Sequence, residues 1–85
     1  MKAHRATDNL ILIFCPGCGN AHGFDARWTF NGDFERPSFS PSMHVEAGGP
    51  NTCHSFVRDG KIQFLTDSHH ALAGQTVELP EWEDA

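Results

Sequence analysis

The sequence predicts a small β-rich (α+β) domain of antiparallel hairpins with one short helix, and three observations carry that prediction. A Cys-Pro-Gly-Cys-Gly turn at positions 15–19 follows one β-type run, and a third cysteine, Cys53, opens a later one. Asp59-Gly60 and Asn31-Gly32 each stand between β-type segments, a strong short-range signal for a hairpin. Finally, a chain of 85 residues buries only about 60% of its unfolded surface, so a fold of this size calls for a staple.

The elements follow in order. Residues 9–14, "NLILIF", form a short apolar run that reads as a buried strand leading into Cys15. Pro16, Gly17 and Gly19 then break regular structure and make a turn. "FDARWTF" reads as a strand joined through Asn31-Gly32 to "DFER". Pro37 and Pro41 exclude a helix or a central strand from "RPSFSPSMHV", which leaves an extended edge segment. "EAGGPNT" is loop. After the second hairpin, "DSHHALAG" carries the expected helix, with Asp67 at its N-cap and Gly74 beyond its end. "QTVEL" is a last short strand. Neither repeats nor a linker divide residues 1–85, so one domain is expected, with flexible ends at 1–8 and 81–85.

The best-defined unit is "CHSFVRDGKIQFLT". A two-residue turn at Asp59-Gly60 sets Arg58 opposite Lys61, Val57 opposite Ile62, Ser55 opposite Phe64 and Cys53 opposite Thr66. One face then carries Val57, Ile62 and Phe64 with Cys53 at its far end. The other carries His54, Phe56 and Leu65.

Three cysteines cannot close a disulfide framework and fit a reducing compartment. A Cys-x-x-Cys turn presents two thiolates to one zinc ion, and Cys53 adds a third from a distant hairpin. The rival, a thioredoxin-like redox pair, normally precedes a long helix, whereas Gly19 and Asn20 follow here. The expected ligands are therefore Cys15, Cys18 and Cys53 with one histidine. His70 is favoured, because it lies four residues past Thr66 and so reaches the Cys53 end of the sheet. His22, at Cys-x3-His from Cys18, and His54, beside Cys53, are the alternatives; neighbours on a straight strand point to opposite faces, which counts against His54.

Other chemistries find less support. His44-Val45-Glu46 matches the His-x-Glu of zinc deaminases, but that signature needs its cysteines afterwards, and here they come first. Ser38, Ser40 and Ser42 lack a Gly-x-Ser-x-Gly context and read as a hydroxyl-rich edge. No phosphate loop is present. A net charge of −5 with six basic residues, none clustered, speaks against a nucleic-acid partner. No apolar run reaches the roughly 20 residues of a membrane span. The opening "MKAHRATDN" has no secretory apolar stretch, so the cytoplasm is the expected location.

The ordered set "CPGCG…H", "WTFNGDFERPSFSPS", "CHSFVRDGKIQFL" and "DSHHALAGQTVELPEW" resembles a family of small zinc-ribbon-like proteins of tailed phages and prophages, some labelled ammonia monooxygenase. The resemblance runs from about Phe14 to Trp82. It implies a zinc-binding β domain in an infected or lysogenic bacterium and no established reaction. Many members of that family carry cysteine where this chain has Ser68, which places the segment near the metal. A wider set has Cys-x-x-His before the equivalent of "SFV", which points to His54.

The function expected on this basis is that of a phage accessory protein with one structural zinc, binding a host or phage protein. Trp28, Phe34, Arg36 and Phe39 are the candidate contact residues, although the same rings can equally cover a sheet face. The alternatives are a hydrolase-like zinc enzyme with an open metal position, using groups among His22, His54, Asp67 and His70, or a minor virion component.

Overall fold

The computed structural model describes residues 1–46 and 48–82. Eight strands are found there: β1 Ala3–Thr7, β2 Leu10–Cys15, β3 Asn20–Phe24, β4 Thr29–Phe30, β5 Phe39–Val45, β6 Cys53–Arg58, β7 Lys61–Phe64 and β8 Thr76–Glu78. They form two antiparallel sheets, ordered β1-β2-β3 and β4-β5-β6-β7-β8. The zinc-ribbon-like α+β arrangement with one short helix is therefore corrected to an all-β fold, with no α-helix among the described residues.

The reason is visible in the backbone of residues 67–74, where the helix was expected. Its amides bond outward or in short turns rather than along a helix: His69 N donates to Thr52 O at 2.8 Å and Gly74 N to Phe64 O at 3.0 Å, while Ala73 N closes a turn on His70 O at 3.1 Å. The side chains also diverge. Asp67 reaches His54 on one side of the sheet while His70 reaches Cys53 on the other. An α-helix sets residues three apart on one face, so a helix cannot serve both contacts. A chain of turns can.

The hairpin at Asp59-Gly60 has the expected register, pairing Arg58 with Lys61, Val57 with Ile62 and Ser55 with Phe64. Asp59 and Gly60 both have positive φ, 54° and 79°, as a primed two-residue turn requires. Asn31-Gly32 does not close a tight hairpin. The partner of Phe30 is Phe39, and the intervening chain folds on Asn31, whose Oδ1 accepts from Asp33 N and Ser38 N. β5 lies between β4 and β6, and Pro41 is accommodated in a register shift between Phe39 and Met43.

The core lies between the sheets. Ala3, Ile11, Ile13 and Phe24 from the first meet Phe39, Met43, Val57, Ile62 and Phe64 from the second, closed by Leu79. Phe24, Phe39 and Phe30 stack in that order, with centroids 3.9 and 4.9 Å apart, and Trp28 and Phe34 meet this stack edge-on. The first strand lies where the sequence reads as a chain end; Lys2 N and Ala3 N both donate to Phe34 O. At the other end Trp82 stacks on His4, and the rest of the flexible end expected at 81–85, residues 83–85, lies outside the described residues. Among the described residues no helix is long and apolar enough to cross a membrane.

Candidate metal centre and serine–histidine–aspartate site

Two constellations meet at one end of β6. On its inner side, the turn after β2 brings Cys15 and Cys18 to Cys53, and the 67–74 segment adds His70. One ligand atom from each lies within 4.8 Å of all the others. A tetrahedron of zinc–ligand bonds near 2.3 Å has edges of about 3.7 Å; Cys53 Sγ and His70 Nε2 are 3.5 Å apart. The three cysteines are free thiols, and Cys15 and Cys53 are fully buried. This donor set fits a thiophilic dication. Gly17 is part of the design, because a Cβ there would collide with the imidazole of His70.

The electrostatics of the thiols agree. A hydrogen bond from Cys53 holds Cys15 down to about 3 against the opposing effect of burial, with His22 assisting. Cys53 is pushed far up, first by that pairing with the Cys15 thiolate and then by burial. Burial and the Cys15 charge raise Cys18. Three sulfurs in contact thus cannot all ionise without a compensating cation.

Of the alternative histidines, His22 stands beside Cys15 and supports its charge, while its own Nε2 is buried with no hydrogen-bond partner. His54 points to the opposite face. His69 approaches the cluster from outside, with Nε2 3.6 Å from Cys18 Sγ. His70 completes the set.

On the outer side of β6 a different arrangement appears. Ser42 Oγ lies 3.1 Å from His54 Nε2, and His54 Nδ1 lies 3.2 Å from Asp67 Oδ2. Serine, histidine and carboxylate therefore form one continuous hydrogen-bonded chain. The carboxylate can only accept, so Nδ1 carries the proton and Nε2 is left to accept from the serine hydroxyl. The surroundings hold the chain in place. The His44 ring stacks on His54 at 4.2 Å and 6°, and is anchored by Thr52 Oγ1 at 3.0 Å from His44 Nε2. Ser68 Oγ accepts from His54 N and donates to His54 O, both at 3.1 Å. Trp28 Nε1 donates to Ser42 O at 3.4 Å.

Ser42 is the residue that sequence reasoning set aside. It belongs to no local motif, and its partners come from β6 and from the 67–74 segment. It lies in the register-shifted stretch of β5 between Phe39 and Met43, and such irregularities recur next to active sites. The remaining expected contact residues are distributed differently. Phe39 is 3% exposed in the core, and Trp28 and Phe34 are half-buried against it. Arg36 is exposed and pairs with Asp59 at 3.4 Å.

A small all-β protein in which three cysteines and a histidine that could hold a metal ion back a Ser–His–Asp chain is the class defined by this fold and site. Comparison with protein-family models then identifies the family. Residues 1–65 match the BubE family, described as the bacterial ubiquitination-like system serine protease, and the chain belongs to it. The match includes Cys15, Cys18, Ser42, Cys53 and His54, and ends before Asp67 and His70. Neither the curated proteins nor the solved structures gave a match. None of these comparisons carries the phage setting expected from the resemblance.

Proposed function

We propose that this protein is a serine hydrolase that cleaves a polypeptide substrate within a bacterial ubiquitination-like system, and that Cys15, Cys18, Cys53 and His70 hold one structural zinc. The observation that carries the reading is the unbroken chain from Ser42 Oγ through His54 to Asp67. The family description supports the same chemistry.

In this reading Ser42 Oγ attacks the substrate carbonyl carbon while His54 Nε2 takes its proton, and the resulting imidazolium hands that proton to the leaving amine. Water then repeats the sequence on the acyl-enzyme, returning the proton to Ser42. Asp67 keeps the proton on Nδ1 and stabilises the imidazolium. Zinc bound by four protein ligands has no open position for substrate. Its part is to tie the turn after β2, the start of β6 and the 67–74 segment together.

The sequence points first to a phage accessory protein that binds a host or phage protein, with a hydrolase-like zinc enzyme or a virion component as alternatives. The candidate aromatics of that binding role lie in or against the core stack, and no feature of the site calls for it. The test is covalent labelling with a fluorophosphonate followed by peptide mapping. A single adduct on Ser42, lost in Ser42→Ala and in His54→Ala, is expected. An unlabelled wild-type protein, or labelling that survives Ser42→Ala, would overturn the assignment.

A further inference from the structure

The outer face of the second sheet continues beyond the proposed triad. Along β6 the outward residues are His54, Phe56 and Arg58, and the Phe56 ring follows that of His54 with centroids 6.5 Å apart. Along β5, Ser40 precedes Ser42 by two residues and pairs with Thr29 of β4. Between these rows lies a pocket of about 310 Å³ lined by Thr29, Asn31, Ser38, Phe39, Ser40, Phe56 and Arg58. Phe56 is its half-buried apolar wall, adjoining the His54 ring.

Its charge is distinctive. No carboxylate lines the pocket, and Arg58 is the one ionised group there. The Arg58 guanidinium stacks over Phe56 at 4.5 Å and takes no part in an ion pair among the described residues, whereas Arg36, Arg27 and Lys2 each pair with a carboxylate. The hydroxyls of Thr29 and Ser40 have no protein partner among the described residues. In a chain of net charge −5, an uncommitted guanidinium with free hydroxyls and an apolar wall is complementary to a carboxylate on an apolar stem.

We infer that this pocket is a specificity subsite: it takes an acidic residue of the substrate polypeptide close to the cleaved bond, the stem against Phe56 and the carboxylate on Arg58. The inference rests on the hydrolase reading, and the experiment separates the two. A defined mixture of sequence-diverse peptides is digested with the wild-type protein, Arg58→Gln and Arg58→Glu, with Ser42→Ala as blank. Cleavage sites are read by mass spectrometry, and each Glu peptide is paired with its Gln and Lys counterparts, as free acid and as C-terminal amide. Fluorophosphonate labelling of Ser42 is measured in parallel.

A half-exposed charge pair predicts about a fivefold preference for Glu over Gln near the cleaved bond. Arg58→Gln should abolish that preference and Arg58→Glu should turn it toward Lys. A preference confined to free-acid peptides would identify the recognised carboxylate as a chain terminus and also supports the pocket. Equal cleavage of Glu and Gln peptides, a preference that persists in Arg58→Gln, or labelling of Ser42 with no peptide cleaved would overturn the subsite and leave the triad standing. Absence of Ser42 labelling and of Ser42-dependent cleavage would overturn both.

Discussion

The two sides of β6 use neighbouring residues for opposite purposes. Cys53 is fully buried and faces the thiolate cluster, whereas His54 is 24% exposed and faces Ser42. The 67–74 segment is split in the same way, sending His70 inward and Asp67, 52% exposed, outward. Adjacent residues of a strand point to opposite faces, so one backbone segment fixes both sites at once. The inner site is closed and the outer site is open to solvent. What stiffens the first therefore positions the second.

The largest expected effects separate the two sides cleanly. Ser42→Ala and His54→Ala should each lower hydrolysis by a factor of about 10⁴ or more, while melting temperature and zinc content stay within the range of a surface substitution. A fall in zinc content in His54→Ala would instead place that histidine in the metal site. On the inner side, Cys53→Ser or His70→Ala should cost more than about 4 kcal/mol, since metal loss is one of the few single changes of that size. Chelation of the wild-type protein should likewise abolish labelling of Ser42. Apo protein that melts unchanged and still reacts would break the link between the sides. His22→Ala, by contrast, should keep its zinc and lose only about 1 kcal/mol.

Smaller changes probe the joints. Gly17→Ala forces the His70 imidazole away from the cluster. The expected cost is about 1–3 kcal/mol, as for overpacking, with weaker zinc retention in a chelator competition. Ser68→Ala removes both hydrogen bonds that clamp the His54 peptide unit. It should cost about 1 kcal/mol in thermal stability and several-fold in Ser42 labelling. A stability loss without any change in labelling would show that the clamp serves the fold alone.

The two sides also differ in how far the sequence reveals them. The inner cluster is legible because Cys-x-x-Cys is local and the Asp59-Gly60 turn fixes which face Cys53 takes. The same face assignment sends His54 outward, which is correct but does not say toward what. Ser42 and Asp67 meet His54 only through the β5–β6 register and the path of the 67–74 turns, and neither leaves a spacing signal. The expected helix over 67–74 failed because Asp67 and Gly74 have the residue types of helix ends, while tertiary bonds to Thr52 and Phe64 claim the backbone. In β1 only Ala3 is buried, so no alternation marks it. Asn31 uses its side chain to shape a longer connection, and Asn-Gly alone cannot announce that.

The register shift in β5 has a consequence for how such a site can be accommodated in a sheet. Phe39 pairs with Val57 and Met43 with Ser55, so β5 takes four steps where β6 takes two. The surplus is even. Strand side chains alternate, and a surplus of one would have turned Met43 outward together with every residue after it. With two, Met43 returns to the core, 8% exposed, on the same side as Phe39. Ser42 thus rides on an excursion that leaves the sheet's inside–outside parity, and with it the core, unchanged.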